Sequence, residues 1–417
     1  MPSVKLIHAA DLHLDSPMRG LVAYEEAPTA ELRLATRVAL RNLVEAAVDE
    51  VVDAVLLAGD IYDGDWPHYG TGVHFVSEMG RLREAGIPVV IVAGNHDAES
   101  KLTKSLRLPT NVHVLDTRKP ETVTFDEIGL AVHGQGYATP AVLDDLSAGY
   151  PAPIGDMINV GLLHTSADGR PGHEPYAPCN VNALTRHGYD YWALGHVHRR
   201  EVLSTDPPIV FPGNLQGRGL RETGPKGAML IELGQDGIAT FEHRALDCVR
   251  WELIEVDATA CAGRDDVCER VATAVREAAR GAGDRLLAVR VAITGVSEAH
   301  STLAVDSERL RYDVIASAAD VAGAQVWIEA VRLTTSSPRE LAHGGEDAVG
   351  ELIQELEELS REAGSTDALT AALAPLARML PAAVLAEFDP TDSETVQALM
   401  ADVSQSLPIA LLERTDA

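Results

Sequence analysis

Five short clusters of polar residues each follow an apolar run, and this arrangement restricts the fold more than any other feature of the chain. Residues 53–58 form the clearest run, which leads through Gly59 to the carboxylate of Asp60. Short apolar runs bounded by glycine are typical of buried strands, and open α/β sheets carry their active sites at the carboxyl ends of strands. The clusters are Asp11-Leu12-His13, Gly59-Asp60, Gly94-Asn95-His96-Asp97, Leu163-His164-Thr165 and Gly195-His196-Val197-His198.

Residues 1–245 are predicted to form one α/β domain. Strands and helices alternate at its start, and this alternation indicates a parallel sheet. The alternating elements are strand 4–10, helix 30–49, strand 53–58, helix 71–85 and strand 88–93. Shorter strands follow near 112–115, 121–125, 129–133, 158–164, 190–194, 209–211, 227–233 and 238–244. We therefore expect two sheets packed face to face, with helices outside.

Residues 250–334 are predicted to form a small separate α/β domain, and residues 336–417 a helical region. The small domain alternates strands 251–256, 286–294 and 325–333 with helices 265–280 and 307–319. The helical region contains an apolar stripe formed by Val349, Leu352, Ile353, Leu356 and Leu359. The stripe fits packing on this protein itself or docking on a partner helix. Residues 363–368 are expected to be a short linker.

Seven side chains in the clusters are candidate metal ligands. They are Asp11, His13, Asp60, Asn95, His164, His196 and His198. Because no thiolate is among them, the set disfavours an iron–sulfur site and favours manganese, iron or zinc. Two ions roughly 3.5–4 Å apart that share a carboxylate would use all seven ligands. Asp11 and His13 are expected in a strand-like segment, where side chains two residues apart point the same way.

His96 is predicted to face the substrate rather than the metals, because it directly follows the candidate ligand Asn95. From there its imidazole can donate a proton to a leaving oxygen. Asp97 is expected to accept a hydrogen bond from the ring and so fix its tautomer. The alternative is that His96 and Asp97 only cap the next helix.

The order, spacing and strand context of the clusters resemble the calcineurin-like metallophosphoesterase superfamily. Segments 8–17 and 211–227 further resemble the SbcD-type DNA repair exonucleases, most closely the YhaO branch. The resemblance implies a two-sheet metallophosphoesterase sandwich flanked by helices, with nuclease activity, at 1–245. It also implies an α/β DNA-capping domain at 250–334, and a helical region at 336–417 that docks on an SbcC-type coiled-coil ATPase.

The resemblance also implies roles for individual residues. Asp11, His13, Asp60 and His198 would hold one divalent ion, and Asp60, Asn95, His164 and His196 would hold the other. Mn²⁺ is the expected metal, and His96 would assist at the transition state. Arg218, Arg221 and Lys226 lie in a glycine-rich loop, which is expected to contact DNA phosphates or to be a solvated turn.

The predicted function is therefore a dinuclear-metal-dependent DNA nuclease in DNA repair that works with the SbcC-type ATPase. One alternative is a phosphodiesterase for a small nucleotide-like substrate; another is an interaction subunit that acts through its acidic tail. The net charge of −29 favours the small substrate, because DNA-binding surfaces are usually basic. A protein phosphatase is disfavoured, since Gly64 follows Asp63 where those enzymes carry arginine. Some members of the wider nuclease group carry a histidine at the position that Asp63 occupies in this chain.

Location and redox state follow from other features of the chain. The first strand begins at the amino terminus, and no apolar run reaches the ~18 residues of a membrane span, so a cytoplasmic protein is expected. The cysteines show no Cys-x-x-Cys spacing and are expected to be reduced; they are Cys179, Cys248, Cys261 and Cys268. A homodimer is compatible with the sequence.

Overall fold

The computed structural model describes most of the chain, and its described residues form two compact units that divide after Trp251. The described residues are 3–16, 27–64, 69–99, 106–169, 176–234, 239–322, 325–338, 363–380, 389–392, 395–397, 399 and 403. None of the described helices is long and apolar enough to cross a lipid bilayer.

Within the described residues, the first unit contains twelve strands and four α-helices. In chain order the strands are β1 (Val4–Ala9), β2 (Ala54–Leu57), β3 (Val89–Ile91), β4 (Val112–Val114), β5 (Glu121–Phe125), β6 (Leu130–Gly134), β7 (Ile158–His164), β8 (Tyr191–Gly195), β9 (Glu201–Thr205), β10 (Pro208–Phe211), β11 (Gly227–Leu233) and β12 (Ala239–Ala245). The helices are α1 (Thr29–Asp49), α2 (Tyr69–Glu84), α3 (Asn95–Glu99) and α4 (Val181–Arg186).

These strands form two sheets, as predicted, and each sheet has six strands. The first has the order β12-β11-β1-β2-β3-β4, and the second has the order β5-β6-β7-β8-β10-β9. Strands β1 to β4 are parallel to one another, with Ile7 beside Val55 and Val55 beside Val89. In the second sheet, β6, β7 and β8 are parallel as well. The carboxyl ends of β1, β2 and β3 therefore lie at one edge of the first sheet.

Alternating side chains of the first sheet enter two different cores, which explains why its strands are apolar throughout. Leu6 and Leu56 are buried between the two sheets with Val132 and Leu162 of the second sheet. Their neighbours in sequence, such as Ile7, are buried on the opposite face among residues of α1 and α2. The two-sheet sandwich with helices outside is thus confirmed.

Strand β9 was not predicted from the sequence. It pairs antiparallel with β10 at the edge of the second sheet, with a register shift at Ile209/Val210. Its side chains are partly exposed and mostly polar. An edge strand of this kind lacks the continuous apolar run that identified the interior strands.

The second unit is built around a three-stranded sheet, whose first strand begins just before the division after Trp251. Its strands are β13 (Val249–Asp257), β14 (Leu286–Val296) and β15 (Val326–Ser336), and its described helices are α5 (Arg264–Ala282), α6 (His300–Val305), α7 (Ser307–Ala322) and α8 (Ala363–Ala377). Strands β14 and β15 are parallel, with Leu287 beside Val326. Their inward residues form a core with α5 and α7. The predicted strand–helix–strand–helix–strand alternation is confirmed, whereas α6 was not predicted.

The helical tail is described only in part. The apolar stripe of the tail, Val349 to Leu359, lies outside the described residues. The linker prediction for 363–368 is wrong, because α8 begins at Ala363. The helix extends over Ala363–Ala377, where six of the fifteen residues are alanine, which has the highest helix propensity. None of the four described cysteines forms a disulfide. The domain boundaries at 245, 250 and 336 stay predictions.

Candidate metal centre

The seven predicted ligands lie together where strands of both sheets end. Asp11 follows β1, Asp60 follows β2, and Asn95 opens α3 after β3. His164 ends β7, and His196 and His198 follow β8. The first sheet therefore supplies the carboxylates, the amide and one imidazole, while the second sheet supplies three imidazoles.

One group of ligands consists of Asp11, His13 and His198, whose ligand atoms all lie within 4.8 Å of one another. The Nε2 atoms of His13 and His198 are 3.1 Å apart. Asp11 and His13 are each 1% exposed, whereas the His198 side chain is 19% exposed. These three residues can hold one ion.

A second group consists of Asp60, His164 and His196, whose ligand atoms also lie within 4.8 Å of one another. The Oδ1 atom of Asn95 is 3.0 Å from the Nε2 atom of His164, which places the amide in the same group. The backbone N–H of His196 donates to both carboxylate oxygens of Asp11, at 3.1 Å each. That contact joins the second group to the first.

Asp60 lies between the two groups. Its Oδ2 atom is 3.5 Å from Nε2 of His164 and 3.9 Å from Nε2 of His13. Its Oδ1 atom accepts a hydrogen bond from the backbone N–H of His96 at 3.0 Å. Oδ2 of Asp60 is therefore near ligand atoms of both groups, and its sharing by two ions stays a prediction.

The protonation pattern of the site fits bound cations. His164 Nδ1 lies 2.8 Å from the Ala58 carbonyl, to which it donates, and His198 Nδ1 lies 2.7 Å from Glu222 Oε1. In each ring the proton is therefore on Nδ1, and the lone pair of Nε2 faces the site. The ligand atoms of the other residues in the site are acceptors as well. Burial lowers the pKa of His13, so its imidazole is neutral as a metal ligand requires. Burial also raises the pKa of Asp60 to about 6, a charge penalty that a cation would offset.

Several ligands adopt left-handed backbone conformations, which corrects one expectation. The φ angles are 51° at Asp11, 43° at His13, 51° at Asp60 and 104° at His196. Asp11 and His13 are therefore not in a strand-like segment, although both belong to the same ligand group. Non-glycine residues rarely adopt such φ values, and those that do are concentrated at functional sites.

Two glycines allow these loops to approach one another. A Cβ atom on Gly195 would collide with the carbonyl oxygen of Ala58, across the two sheets. A Cβ atom on Gly94 would collide with the carboxylate of Asp60. These glycines precede His196 and Asn95, so close backbone contact is what brings these ligands to the other sheet or strand.

Asp97 does not have the predicted role. The Asp97 carboxylate accepts hydrogen bonds from the backbone N–H groups of Ile61, Tyr62 and Gly94 at 3.2, 3.1 and 3.0 Å. Burial and repulsion from Asp60 raise the pKa of Asp97 to about 7. The carboxylate thus holds the two ligand loops together instead of orienting the His96 ring.

Asp63 lies where Asp97 was expected. Its Oδ1 atom is 3.4 Å from Nδ1 of His96 and 3.3 Å from Nδ1 of His13, and its Oδ2 atom accepts from Ser16 Oγ at 2.7 Å. Burial opposes ionisation of Asp63, but the contacts with His13, Ser16 and Arg218 outweigh it and lower the pKa. The side chain of His96 is 37% exposed. A ligand atom of its ring also lies within 4.8 Å of ligand atoms of His13 and Asp60, so its role toward the substrate rather than the metals stays a prediction.

Arg218 lies beside the metal-ligand groups rather than on a remote surface. Its guanidinium is 3.8 Å from Asp63 Oδ1, 3.3 Å from Ser16 Oγ and 3.3 Å from His198 Nδ1. It also pairs with the Glu222 carboxylate at 3.1 Å. Glu222 was not predicted as a site residue, although it lies in segment 211–227, one of the segments on which the family resemblance rests.

The other two predicted phosphate contacts differ from each other. Lys226 is 8% exposed, and its Nζ donates to the carbonyl oxygen of His198 at 2.8 Å. The predicted phosphate contact is therefore wrong for Lys226, which instead supports the loop of a ligand. Arg221 is exposed, and its contact with phosphate stays a prediction.

Comparisons with known proteins agree with this geometry. Residues 4–200 match the family described as calcineurin-like phosphoesterase, and residues 251–336 match the middle domain of metallophosphoesterase YhaO. The chain is 37% identical over 263 residues to the "Uncharacterized metallophosphoesterase YhaO" of Bacillus subtilis (strain 168), covering 62% of this chain and 64% of that protein.

More distant similarities extend to other proteins. The chain is 27% identical over 296 residues to the DNA double-strand break repair protein Mre11 of Methanopyrus kandleri, covering 64% of this chain and 62% of that protein. It thus spans about three fifths of the length of the curated relatives that it matches. Among solved structures, TT1561 of Thermus thermophilus aligns with a TM-score of 0.33 and 15% identity, over 58% of this chain and 99% of that one.

Proposed function

We propose that this chain, whose residues 4–200 match the calcineurin-like phosphoesterase family, hydrolyses phosphodiester bonds in DNA with two bound divalent cations. The observation that carries the proposal is the position of the Asp60 carboxylate between two groups of ligands. Asp11, His13, Asp60 and His198 would hold one ion, and Asp60, Asn95, His164 and His196 the other. When bound, such a pair activates a water molecule and neutralises charge on the phosphoryl group.

Residues of the chain itself would position the substrate and move the proton. Arg218 would meet a phosphate oxygen, since its guanidinium lies beside Ser16 and His198 at the site. His96 has its Nδ1 atom toward Asp63, so its Nε2 atom would donate a proton to the departing oxygen. Such general acid catalysis typically contributes about 10²–10⁴-fold to a rate.

Two similarities support DNA as the substrate. Distant relatives of this chain are named DNA double-strand break repair proteins, and residues 251–336 match the YhaO middle domain. We propose that this domain covers bound DNA and that Mn²⁺ is the metal. A small nucleotide-like phosphodiester is the second candidate substrate, and the net charge of −29 favours it.

The substrate class is tested by assaying the full chain with Mn²⁺ on linear duplex DNA and on bis(p-nitrophenyl) phosphate. The proposal expects hydrolysis of both, with Asp60→Asn inactive on both. Hydrolysis of the small ester without any cutting of DNA would favour the second candidate. Hydrolysis of neither by a protein shown to bind two Mn²⁺ would refute the proposed activity.

The role of His96 is tested by the leaving group. His96→Ala should still bind two Mn²⁺ and cut DNA about 10²-fold or more slowly, because an alkoxide needs a proton to depart. It should hydrolyse the nitrophenyl ester nearly as well as the parent chain, since nitrophenolate departs without one. An equal loss on both substrates would exclude the acid role.

The partner proposal rests on the acidic sequence of residues 336–417 and on their apolar stripe. We propose that the stripe of residues from Val349 to Leu359 docks on the coiled coil of an SbcC-type ATPase in the cytoplasm. Co-purification of the full chain with such an ATPase should be lost on Leu352→Glu and Leu356→Glu substitution. Retention of the complex by the doubly substituted chain would remove the stripe from the proposal.

A further inference from the structure

Glu222 is a largely buried carboxylate that contacts two functional side chains at once. Its Oε1 atom accepts from His198 Nδ1 at 2.7 Å and from the Arg218 guanidinium at 3.1 Å. Its Oε2 atom accepts from Asn214 Nδ2 at 2.9 Å and from the backbone N–H of Arg218 at 2.8 Å. Both oxygens are therefore fully engaged, and the side chain is only 13% exposed.

The contact with His198 determines which ring nitrogen faces the site. Because Nδ1 carries the proton donated to Glu222, the lone pair lies on Nε2, 3.1 Å from Nε2 of His13. A carboxylate that accepts from the other ring nitrogen orients a metal-binding histidine and increases its basicity. His198 belongs to the group with Asp11 and His13, so Glu222 would act on one ion and not directly on the other.

The contacts with Arg218 fix the second functional side chain. The carboxylate holds both the backbone N–H and the guanidinium of Arg218, so it closes the loop between residues 218 and 222. The guanidinium then reaches Ser16 and Asp63 at the open side of the ligand group. An arginine fixed in advance loses less freedom when it binds a phosphate oxygen.

We propose that Glu222 is a positioning residue that prepares His198 for one of the two ions and Arg218 for a phosphate of the substrate. The inference rests on the proposed function for the identity of these ligands. It predicts that a single substitution at Glu222 affects one metal site and substrate binding, and leaves the other metal site unaffected.

The predicted effect of Glu222 on metal binding is tested on the full chain. The protein is stripped of metal and dialysed against Mn²⁺ at about ten times the dissociation constant of the weaker of the two sites in the parent chain. Metal analysis should give nearly two Mn²⁺ per parent chain and roughly 1.1–1.5 per chain for Glu222→Ala, with Glu222→Gln between them. Loss of such a carboxylate typically weakens metal binding by about 10–100-fold. Glu78→Gln is the matched control, because Glu78 is also buried and paired, with Arg81, on α2.

The positioning role predicts two further readouts. In the metal-free parent chain, nitrogen NMR with labelled histidine should show His198 protonated at Nδ1, and Glu222→Ala should lose that signature. At saturating Mn²⁺, Glu222→Gln and Arg218→Ala should both raise KM for bis(p-nitrophenyl) phosphate. Arg218→Ala should keep both metal ions.

Three results would overturn the inference. They are two Mn²⁺ per chain retained by Glu222→Ala, an equal loss of both ions, and an unchanged His198 signal. An equal loss of both ions would mean that Glu222 merely supports the fold. If the parent chain binds two Mn²⁺ but hydrolyses no phosphodiester, the proposed function fails, while the metal and NMR results still decide the role of Glu222.

Discussion

Replacing Asp60 by asparagine should stabilise the metal-free protein while it abolishes activity. Asp60 is 2% exposed, and asparagine has the same shape, so the substitution opens no cavity. The Oδ1 atom would still accept from the backbone N–H of His96. The new amide nitrogen would replace Oδ2 and face the ring nitrogens of His164 and His13, which lie 3.5 and 3.9 Å from that atom.

The magnitude follows from the pKa of Asp60, which burial raises from 3.8 to about 6. The folded chain then binds this proton more tightly than the unfolded chain does. The resulting contribution to stability is complete below about pH 4 and is lost as the pH rises through about 6. Two pKa units correspond to roughly 3 kcal/mol, so Asp60→Asn should raise the free energy of unfolding by up to about that amount at pH 8.

The assay is denaturant unfolding in EDTA near pH 4 and pH 8, followed by the same measurement with Mn²⁺. In EDTA the advantage of the variant should be near zero at about pH 4 and largest at about pH 8. With free Mn²⁺ at about 100 times its dissociation constant, the parent chain should gain about 2.7 kcal/mol per bound ion and the variant much less. The order of stabilities should therefore reverse.

Asp126→Asn, at an exposed position in the turn after β5, is the control. Substitutions at exposed positions usually change the free energy of unfolding by no more than about 0.5 kcal/mol. If Asp60→Asn is less stable than the parent chain in EDTA at pH 8, buried charge is not what limits metal-free stability. The reasoning also fails if its advantage is the same at both pH values.

Three further substitutions test other parts of the structure. Gly195→Ala should destabilise the first unit by several kcal/mol in urea unfolding, because its Cβ would meet the facing carbonyl, whereas Gly155→Ala, in open space, should be nearly neutral. Arg218→Ala should lower kcat/KM for duplex DNA at least tenfold (about 1.4 kcal/mol). Arg221→Ala should weaken DNA binding less and in a salt-dependent manner. Equal effects of the two substitutions would contradict the difference in the positions of Arg218 and Arg221. Leu287→Ala should destabilise the second unit by about 2–5 kcal/mol without changing Mn²⁺ stoichiometry, and coupled loss of metal would contradict this independence.

The strands that carry the ligands could be predicted from the sequence because they are buried on both faces. Residues such as Leu6 and Ile7 enter different cores, so their strand is a continuous apolar run. Each run ends where a polar side chain is required, and this change marks the site. The edge strand β9 is only partly buried, and its partly polar sequence resembles a loop.

The contacts between loops could not be predicted in the same way. The assignment of Asp97 to the His96 ring used proximity in sequence, whereas the carboxylate is directed toward Ile61 and Tyr62, some 35 residues away in the chain. The left-handed conformation of Asp11 is likewise set by its neighbours, since its backbone N–H donates to the Gly59 carbonyl at 3.0 Å. Glu222 becomes visible as a partner only when the fold brings it to His198.

Each candidate ion would take ligands from both sheets, and this has a consequence for stability. The first group joins Asp11 and His13 after β1 to His198 after β8, and the second joins Asp60 after β2 to His164 at the end of β7. Without cations, the contacts across this seam include buried carboxylates whose charge is unfavourable. Bound metal ions would offset the charge of these carboxylates and replace the unfavourable contacts by attraction between the two sheets. Hydrogen exchange at the ends of β1 and β8 should therefore slow on metal binding more than exchange in the second unit, since local opening of the seam would require ligand loss.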